Sequence, residues 1–292
     1  MYIAIFGKTF TDESLKYINQ LIAKLNSIDC KLMVYEPFYK LLENKVKFNG
    51  KLILFNRYEE IKDRADFLVS IGGDGTLLHT VTLVRDSGIP IIGINIGKLG
   101  FLSSIAKDEI LPAIDSIINN EYFLDKRTLI QLETKENLFG KINYCLNEFS
   151  IKGNDSSSLS IIDVFVDETL LNSYWADGLI IATPTGSTAY SLSCGGPIVT
   201  PGSKNFLITP IATHNLTVRP IVIPDSCKIR IKLRGRNEKF VVCLDSRPVI
   251  VDSSTELLIK KEKFGINLLK MKNQHFFHTI QNKLLWGADI RN

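Results

Sequence analysis

The chain has 292 residues, 45% of them hydrophobic and 23% charged, which is long enough for two domains with cores of their own and too apolar for a disordered polypeptide. With 35 basic and 31 acidic residues the net charge is +4, so the strongly basic footprint of a nucleic-acid binder is excluded. No apolar run reaches the roughly 18 residues of a membrane helix, and five dispersed cysteines without a Cys-x-x-Cys pair fit reduced thiols in the cytoplasm.

The first strand-like run is Tyr2 to Phe6, too short for a signal sequence and better read as buried β-structure. Lys31 to Tyr35, Phe67 to Ile71 and Pro90 to Asn95 repeat the pattern, and helix-period segments at about Thr11 to Leu25, Leu77 to Asp86 and Lys107 to Asn119 alternate with them. That alternation predicts a parallel sheet with helices on its faces, over residues 1–124. In such folds ligands bind at the carboxyl ends of strands. The segment Phe67-Leu68-Val69-Ser70-Ile71-Gly72-Gly73-Asp74-Gly75-Thr76 ends there, in a glycine-dense turn with one carboxylate at its apex. Glycines let a ligand approach the main chain, and a following helix directs free N–H groups and its positive dipole end at the same spot, so an anion is expected. The turn is neither a Walker loop nor a three-glycine dinucleotide fingerprint, and a plain strand-to-helix turn capped by Asp74 fits it as well. A second junction, Ile94 to Leu102, follows the next strand and is placed to share a pocket with the first.

Beyond Asp125 the helical period gives way to short alternating runs: Thr128 to Glu133, Lys141 to Lys152, Ile161 to Val166, Gly178 to Thr183, Ile221 to Val222, Lys228 to Leu233 and Phe240 to Leu244. They predict an all-β second domain over 125–272. Asn154 to Ser158 is a polar turn within it. The basic run Lys228 to Arg236 has a period of two, the wet face of a strand rather than a phosphate-tracking patch. A helix at about Phe276 to Trp286, within the segment 273–292, is expected to pack back onto the first domain. His79, His214, His275 and His278 do not combine with the cysteines at zinc-site spacing, so no structural metal is expected.

Three segments of the β half carry candidate chemistry. Asn147-Glu148 puts an amide beside a carboxylate in a strand-like run; adjacent residues face opposite ways, so either both meet a polar ligand, or a bulge re-aims one, or the pair is simply solvated. The run Trp175 to Pro197 contains Asp177, then a strand ending at Pro184, a turn at Gly186 and a short helix with Ser187 and Thr188 in its first turn. Its hydroxyls and open N–H groups suit a base edge and Tyr190 suits stacking, while Ser187 as a cap and Tyr190 as core are the plain alternatives. His214 lies in Thr209 to Pro220 and reads first as a backbone hydrogen-bonding residue.

Gly72-Gly73-Asp74-Gly75-Thr76, Asn147-Glu148, Asp177-Gly178, the run Thr183 to Gly196, and His214 with Arg219-Pro220 together resemble the NAD kinase family, in order and over nearly the whole chain. The glycine element alone is also similar to phosphofructokinases and to diacylglycerol and sphingosine lipid kinases; Thr-Pro-Thr-Gly-Ser-Thr-Ala-Tyr narrows the choice. The resemblance implies a Rossmann-like α/β domain followed by a β-sandwich, and transfer of the γ-phosphoryl of ATP, with Mg²⁺ or another divalent cation, to the 2′-hydroxyl of the adenosine ribose of NAD. It implies Asp74 as the base, Gly72, Gly73, Gly75 and Thr76 as the phosphate loop, and His79 facing the dinucleotide phosphates. Asn147 and Glu148 would hold the adenosine, Thr188, Ala189, Tyr190 and Ser193 would line the adenine pocket, Ser191 and Leu192 would also bind substrate, and Asp177 and Ala212 would reach the nicotinamide end, partly from a neighbouring subunit of a homo-oligomer. No protein metal cage, nucleic acid or membrane partner is implied. Asp245-Ser246-Arg247 stands where the family typically reads Asp-Gly-Gln, which leaves the role of Arg247 open.

Overall fold

The computed structural model describes residues 1–50, 52–97, 100–154, 160–235, 238–272 and 274–286. They divide into two compact units, one within residues 1–126 and 266–286 and the other within residues 127–265.

The first unit contains strands β1 (Tyr2–Gly7), β2 (Lys31–Tyr35), β3 (Ile53–Phe55), β4 (Phe67–Ile71), β5 (Ile91–Asn95) and β6 (Ile105–Ala106). Its helices are α1 (Asp12–Asn26), α2 (Glu36–Leu42), α3 (Tyr58–Ile61), α4 (Asp74–Val84) and α5 (Ile110–Ile118). All strand pairs are parallel, in the order β3-β2-β1-β4-β5-β6. This order reverses direction between β1 and β4, the point at which doubly wound sheets open a crevice for ligands. Ile3, Ile5, Val34, Val69, Ile71, Ile92 and Ile94 pack against Ile18, Leu21, Ile22 and Leu25 of α1 and Ile110, Ala113, Ile114 and Ile117 of α5. The short β3, α2, α3 and β6 were not legible in the sequence, because two to seven residues carry too little periodicity.

The second unit begins within β7 (Tyr122–Glu133) and continues through β8 (Tyr144–Cys145), β9 (Glu148–Gly153), β10 (Ser160–Val166), β11 (Thr169–Ala182), the short helix α6 (Tyr190–Ser193), β12 (Asn205–Thr213), β13 (Ile221–Pro224), β14 (Ile229–Gly235), β15 (Lys239–Leu244), β16 (Arg247–Asp252) and the start of β17 (Leu257–Met271). The long strand β11 belongs to two antiparallel layers. Its first half pairs with β10, which continues to β14 and β17; its second half lies between β9 and β12. A strand that changes layer in this way closes a sandwich at its corner. Phe149, Ile151, Ile181, Phe206 and Phe240 from one layer and Ile162, Val164, Ile231 and Leu233 from the other form its core.

Several boundaries differ from the sequence expectation. The strand expected at Lys141 to Lys152 is two strands, interrupted at Leu146 and Asn147, and the one expected at Gly178 to Thr183 is the end of a 14-residue strand. Pro210 and Pro248 concealed β12 and β16, since proline cannot donate to a ladder. The charges of residues 260–263 concealed β17, whose end, with Leu268, Leu269 and Met271, belongs to the first unit rather than to the β domain that was expected to run to residue 272. The terminal helix α7 (Phe276–Leu284) clusters with the first unit, and Ile280 is its buried residue. In β14, Ile229, Ile231 and Leu233 are buried while Lys232 and Arg234 are exposed, so the basic run is the wet face of a strand. Most of the polar turn Asn154 to Ser158, and Asn273 with residues 287–292, lie outside the described residues.

Candidate functional site

In the first unit the site is built around Asp74. Helix α4 opens at Asp74, three residues before the expected start, with Gly73 extended as its N-cap. A carboxylate in a helix's first turn is favoured by the dipole, yet this one does not cap its own helix. Its Oδ2 accepts from the N–H of Phe101 at 2.7 Å, and its Oδ1 accepts from the N–H groups of Leu102 and Ser103 at 3.1 and 3.0 Å. The loops after β4 and β5 are thereby joined, as their adjacency predicted. An ionised carboxylate offers about four lone-pair positions; three are taken, and Oδ2 keeps one. The close approach leaves no room for a side chain at Gly100, where a Cβ would stand 1.9 Å from Oδ1 of Asp74. Gly72, at φ +148°, is the other residue of the loop whose backbone calls for glycine. Behind it, the Thr80 hydroxyl donates to Ser70 Oγ at 2.9 Å and ties α4 to β4.

A cleft of about 610 Å³ lies at the reversal point, lined by Thr9, Thr11 and Glu13 after β1, by Gly72, Gly73 and Thr76, and by Lys107. A Cβ on Gly73 or Gly75 would meet nothing within 4 Å, so no packing within the described chain demands glycine at either position. His79 lies one turn further along α4 and lines a separate cavity of about 290 Å³ with Phe6, Lys8 and Tyr35.

In the second unit Asn147 and Glu148 sit where β8 breaks off and β9 begins. The break leaves the N–H groups of Leu146, Asn147 and Glu148 without ladder partners at this end, and all three donate to the carboxylate of Asp245, at 3.0, 2.8 and 3.2 Å. On the other side the Thr183 N–H donates to the Asn147 carbonyl at 2.9 Å and its hydroxyl to the Leu146 carbonyl at 2.6 Å. Gly186 lies so close that a Cβ would come within 2.1 Å of the Asn147 oxygen. Asn147 is buried; Glu148 is half-buried, and its Oε2 has no hydrogen-bond partner among the described residues. Burial first, and the neighbouring Asp245 charge second, push the Glu148 carboxyl up to about 8, against a hydrogen bond from the Tyr190 main chain that lowers it. Burial raises Asp245 as well, opposed by its three amide donors.

The segment after β11 is mostly committed to structure on its inner side. Ser187 is buried, donating to the carbonyls of Pro184 and Val199 at 2.7 and 3.1 Å, so the hydroxyl expected to be available is not. Ser191 is likewise buried with its hydroxyl on Thr209 at 2.8 Å and its carbonyl accepting from the N–H groups of Cys194 and Gly196, which leaves its main-chain N–H for a ligand. Thr188, Ala189, Tyr190 and Leu192 are half-buried and Ser193 is exposed. Tyr190 rests on the cluster of Ile180, Ala182, Leu207 and Ile211, and the Lys152 ammonium stands 4.6 Å from its ring centre. Asp177 and Ala212 are both exposed and fall at facing positions between the pairs Ala176–Thr213 and Gly178–Ile211, although 35 residues apart in sequence. The His214 main-chain N–H donates to the Trp175 carbonyl at 2.9 Å, a bond that does not involve the imidazole for which a backbone partner was expected. Arg247 donates to the carbonyls of Ile142 at 2.6 Å and of Tyr144, so it braces the β8 turn.

The ATP-NAD kinase N-terminal domain model matches residues 3–122 and the ATP-NAD kinase C-terminal domain model residues 146–259. The chain belongs to the NAD kinase family. It is 43% identical to the NAD kinase of Cytophaga hutchinsonii, over the whole of both chains. Among solved structures it is similar to yeast NADH kinase complexed with NADH, at 27% identity and a TM-score of 0.88, covering 99% of this chain and 89% of that one. It is also similar to the NAD kinase of Archaeoglobus fulgidus in complex with ATP, at 26% identity and a TM-score of 0.71, covering 98% and 99% of the two chains. Two residues of the site in this member of the NAD kinase family escaped the sequence reading. Asp245 was noted for the unusual residues after it, and Thr183 only as part of a run; neither has a local signal, since their partners at positions 146–148 are distant in sequence.

Proposed function

We infer that this chain catalyses the NAD kinase reaction, transferring the γ-phosphoryl of ATP to the 2′-hydroxyl of the adenosine ribose of NAD and releasing NADP and ADP. Membership of the family supports the reaction, and the observation that carries the mechanism is the Asp74 carboxylate, held by three amides with one lone pair to spare. That lone pair accepts the hydroxyl proton. A weak base suffices, because phosphoryl transfer is accelerated mainly by alignment and charge neutralisation. The nucleotide phosphates lie against Gly72, Gly73, Gly75 and Thr76 at the N-terminus of α4, where the N–H groups of Gly72 and Thr76 are spent on the carbonyls of Ile94 and Gly73 and those of Gly73, Asp74 and Gly75 face the ligand. The open space above Gly73 and Gly75 supports this, and Lys107 supplies a positive charge in the same cleft. Mg²⁺ or another divalent cation enters with the ATP substrate.

Asn147 and Glu148 hold the adenosine ribose, with Glu148 accepting from a hydroxyl. Thr188, Ala189, Tyr190, Ser193, the main-chain N–H of Ser191 and the half-buried side chain of Leu192 receive the adenine. Tyr190 stacks on it once the Lys152 side chain swings aside. Asp177 and Ala212 bind the nicotinamide end in a cytoplasmic homo-oligomer. His79, in its separate cavity, acts near the phosphates only if a substrate reaches past α4. A coupled assay crossing NAD and NADH with ATP and polyphosphate tests the reading: NADP formation from NAD and ATP is expected, and purified protein that forms no product in any combination overturns it. Light scattering on the same sample, with and without NAD, tests the oligomer; a monomer under both conditions removes it.

A further inference from the structure

We propose that Asp245 is a positioning residue for the acceptor dinucleotide: it accepts the N–H groups of Leu146, Asn147 and Glu148 and so fixes the Asn147–Glu148 pair that grips the ribose. The proposal rests on the kinase reading above and adds to it a residue that acts without touching substrate.

Three successive amides converge on one carboxylate at 2.8–3.2 Å. Such a convergence is needed because the β8–β9 break takes these amides out of the strand ladder, and buried N–H groups without acceptors are costly. The contact is reciprocal, since the Asp245 N–H donates to the Glu148 carbonyl at 2.9 Å. Asp245 itself stands at the tip of the β15–β16 hairpin with φ +52°, a left-handed conformation that aspartate tolerates better than most residues. Thr183 holds the carbonyls of Leu146 and Asn147 from the opposite side, and Gly186 packs closely against the Asn147 carbonyl while its N–H donates to the Thr183 hydroxyl. The Asn-Glu pair is thus clamped by its amides to one hairpin and by its carbonyls to the loop after β11, and only its side chains are left to a ligand.

The same contact has an electrostatic consequence. A second carboxylate beside Glu148 disfavours its ionisation, so Asp245 contributes to the rise of Glu148 to about 8. The other groups facing this pair are the thiols of Cys145 and Cys243, both raised by burial, the Arg247 guanidinium, which favours the ionised form of Asp245, and the Tyr190 N–H. The carboxylate form of Glu148 is the better acceptor for a ribose hydroxyl. NAD binding therefore tightens as pH rises through about 8.

Asp245→Asn tests the assignment in the full-length protein, by NADP formation between pH 6.5 and 9 with a thermal melt alongside. Loss of well-aligned bonds to a charged group corresponds to about a 10- to 100-fold rise in the NAD KM, with kcat and the ATP KM within about twofold of wild type. The pH midpoint of the NAD KM should also move downward, because the adjacent charge is gone. A lower Tm with an unchanged NAD KM and pH midpoint would mean a scaffold role only and overturns the proposal. Wild-type protein supplies a second measurement if the variant does not fold. The amides of Leu146, Asn147 and Glu148 should exchange with solvent at least about a hundredfold slower than unprotected amides, and fast exchange overturns the proposal. Wild type that makes NADP while Asp245→Asn keeps its NAD KM sinks this inference alone; wild type that makes none sinks the kinase reading beneath it.

Discussion

Gly100→Ala tests whether the second loop sets the position of the Asp74 carboxylate. The added methyl would lie 1.9 Å from Oδ1 and 2.4 Å from Cγ of Asp74, far inside van der Waals contact. A small rotation cannot relieve the clash, because the carboxylate is held by the N–H groups of Phe101, Leu102 and Ser103 at 2.7–3.1 Å. Either the side chain leaves or the loop moves away. Hydrogen bonds to a charged group are worth about 1.5–3 kcal/mol each, and rehydration of the released groups returns part of the sum, so a loss of about 2–4 kcal/mol is expected. Displacing a general base lowers kcat by about 10²–10⁴. Urea unfolding and initial rates of NADP formation at saturating NAD and ATP measure the two effects. Gly202→Ala is the control, since a Cβ there meets nothing within 4 Å. Wild-type stability and turnover in Gly100→Ala would refute the link between the loops and the base.

Asp74→Asn keeps the shape of the side chain and removes the proton acceptor; kcat should fall at least about a hundredfold with dinucleotide binding largely retained, as calorimetry would show. Glu148→Gln probes the raised carboxyl. The native state holds a proton that the unfolded chain releases above the ordinary value of 4.5, so wild-type stability falls as pH rises from there to about 8 and levels off beyond it. Relative to wild type, the variant should gain about 1–3 kcal/mol between pH 5 and pH 9 in denaturant titrations, a range discounted for the half-buried position; an equal difference at both pH values would count against the buried-carboxyl account. Gly186→Ala forces a methyl into the Asn147 carbonyl, and a stability loss of about 1–3 kcal/mol with a higher NAD KM is expected, read by melting and steady-state kinetics.

The alternation of apolar runs and helical periods settled the α/β character of the first unit, since strands buried on both faces must be continuously apolar and their connecting helices amphipathic. The Gly-Gly-Asp-Gly-Thr turn was legible for a local reason: glycine, a short carboxylate and a helix start are all properties of adjacent residues. The β half was only partly legible. Prolines and charge clusters disguised three strands, and the corner in β11, where one strand serves two layers, leaves no mark in a period-two pattern.

Residue types and local spacing therefore determined the two-part architecture and the glycine turn with an acid at its apex. Tertiary structure alone decided what holds each functional group. Asp74 takes its amides from residues 101–103 and Glu148 owes its setting to Asp245, nearly a hundred positions away. The seryl hydroxyl that looked open at position 187 is spent on Pro184 and Val199, and that of Ser191 on Thr209. A backbone amide or a hydroxyl has the same chemistry wherever it stands in the chain, so its partner is fixed only when folding brings distant segments within hydrogen-bonding distance.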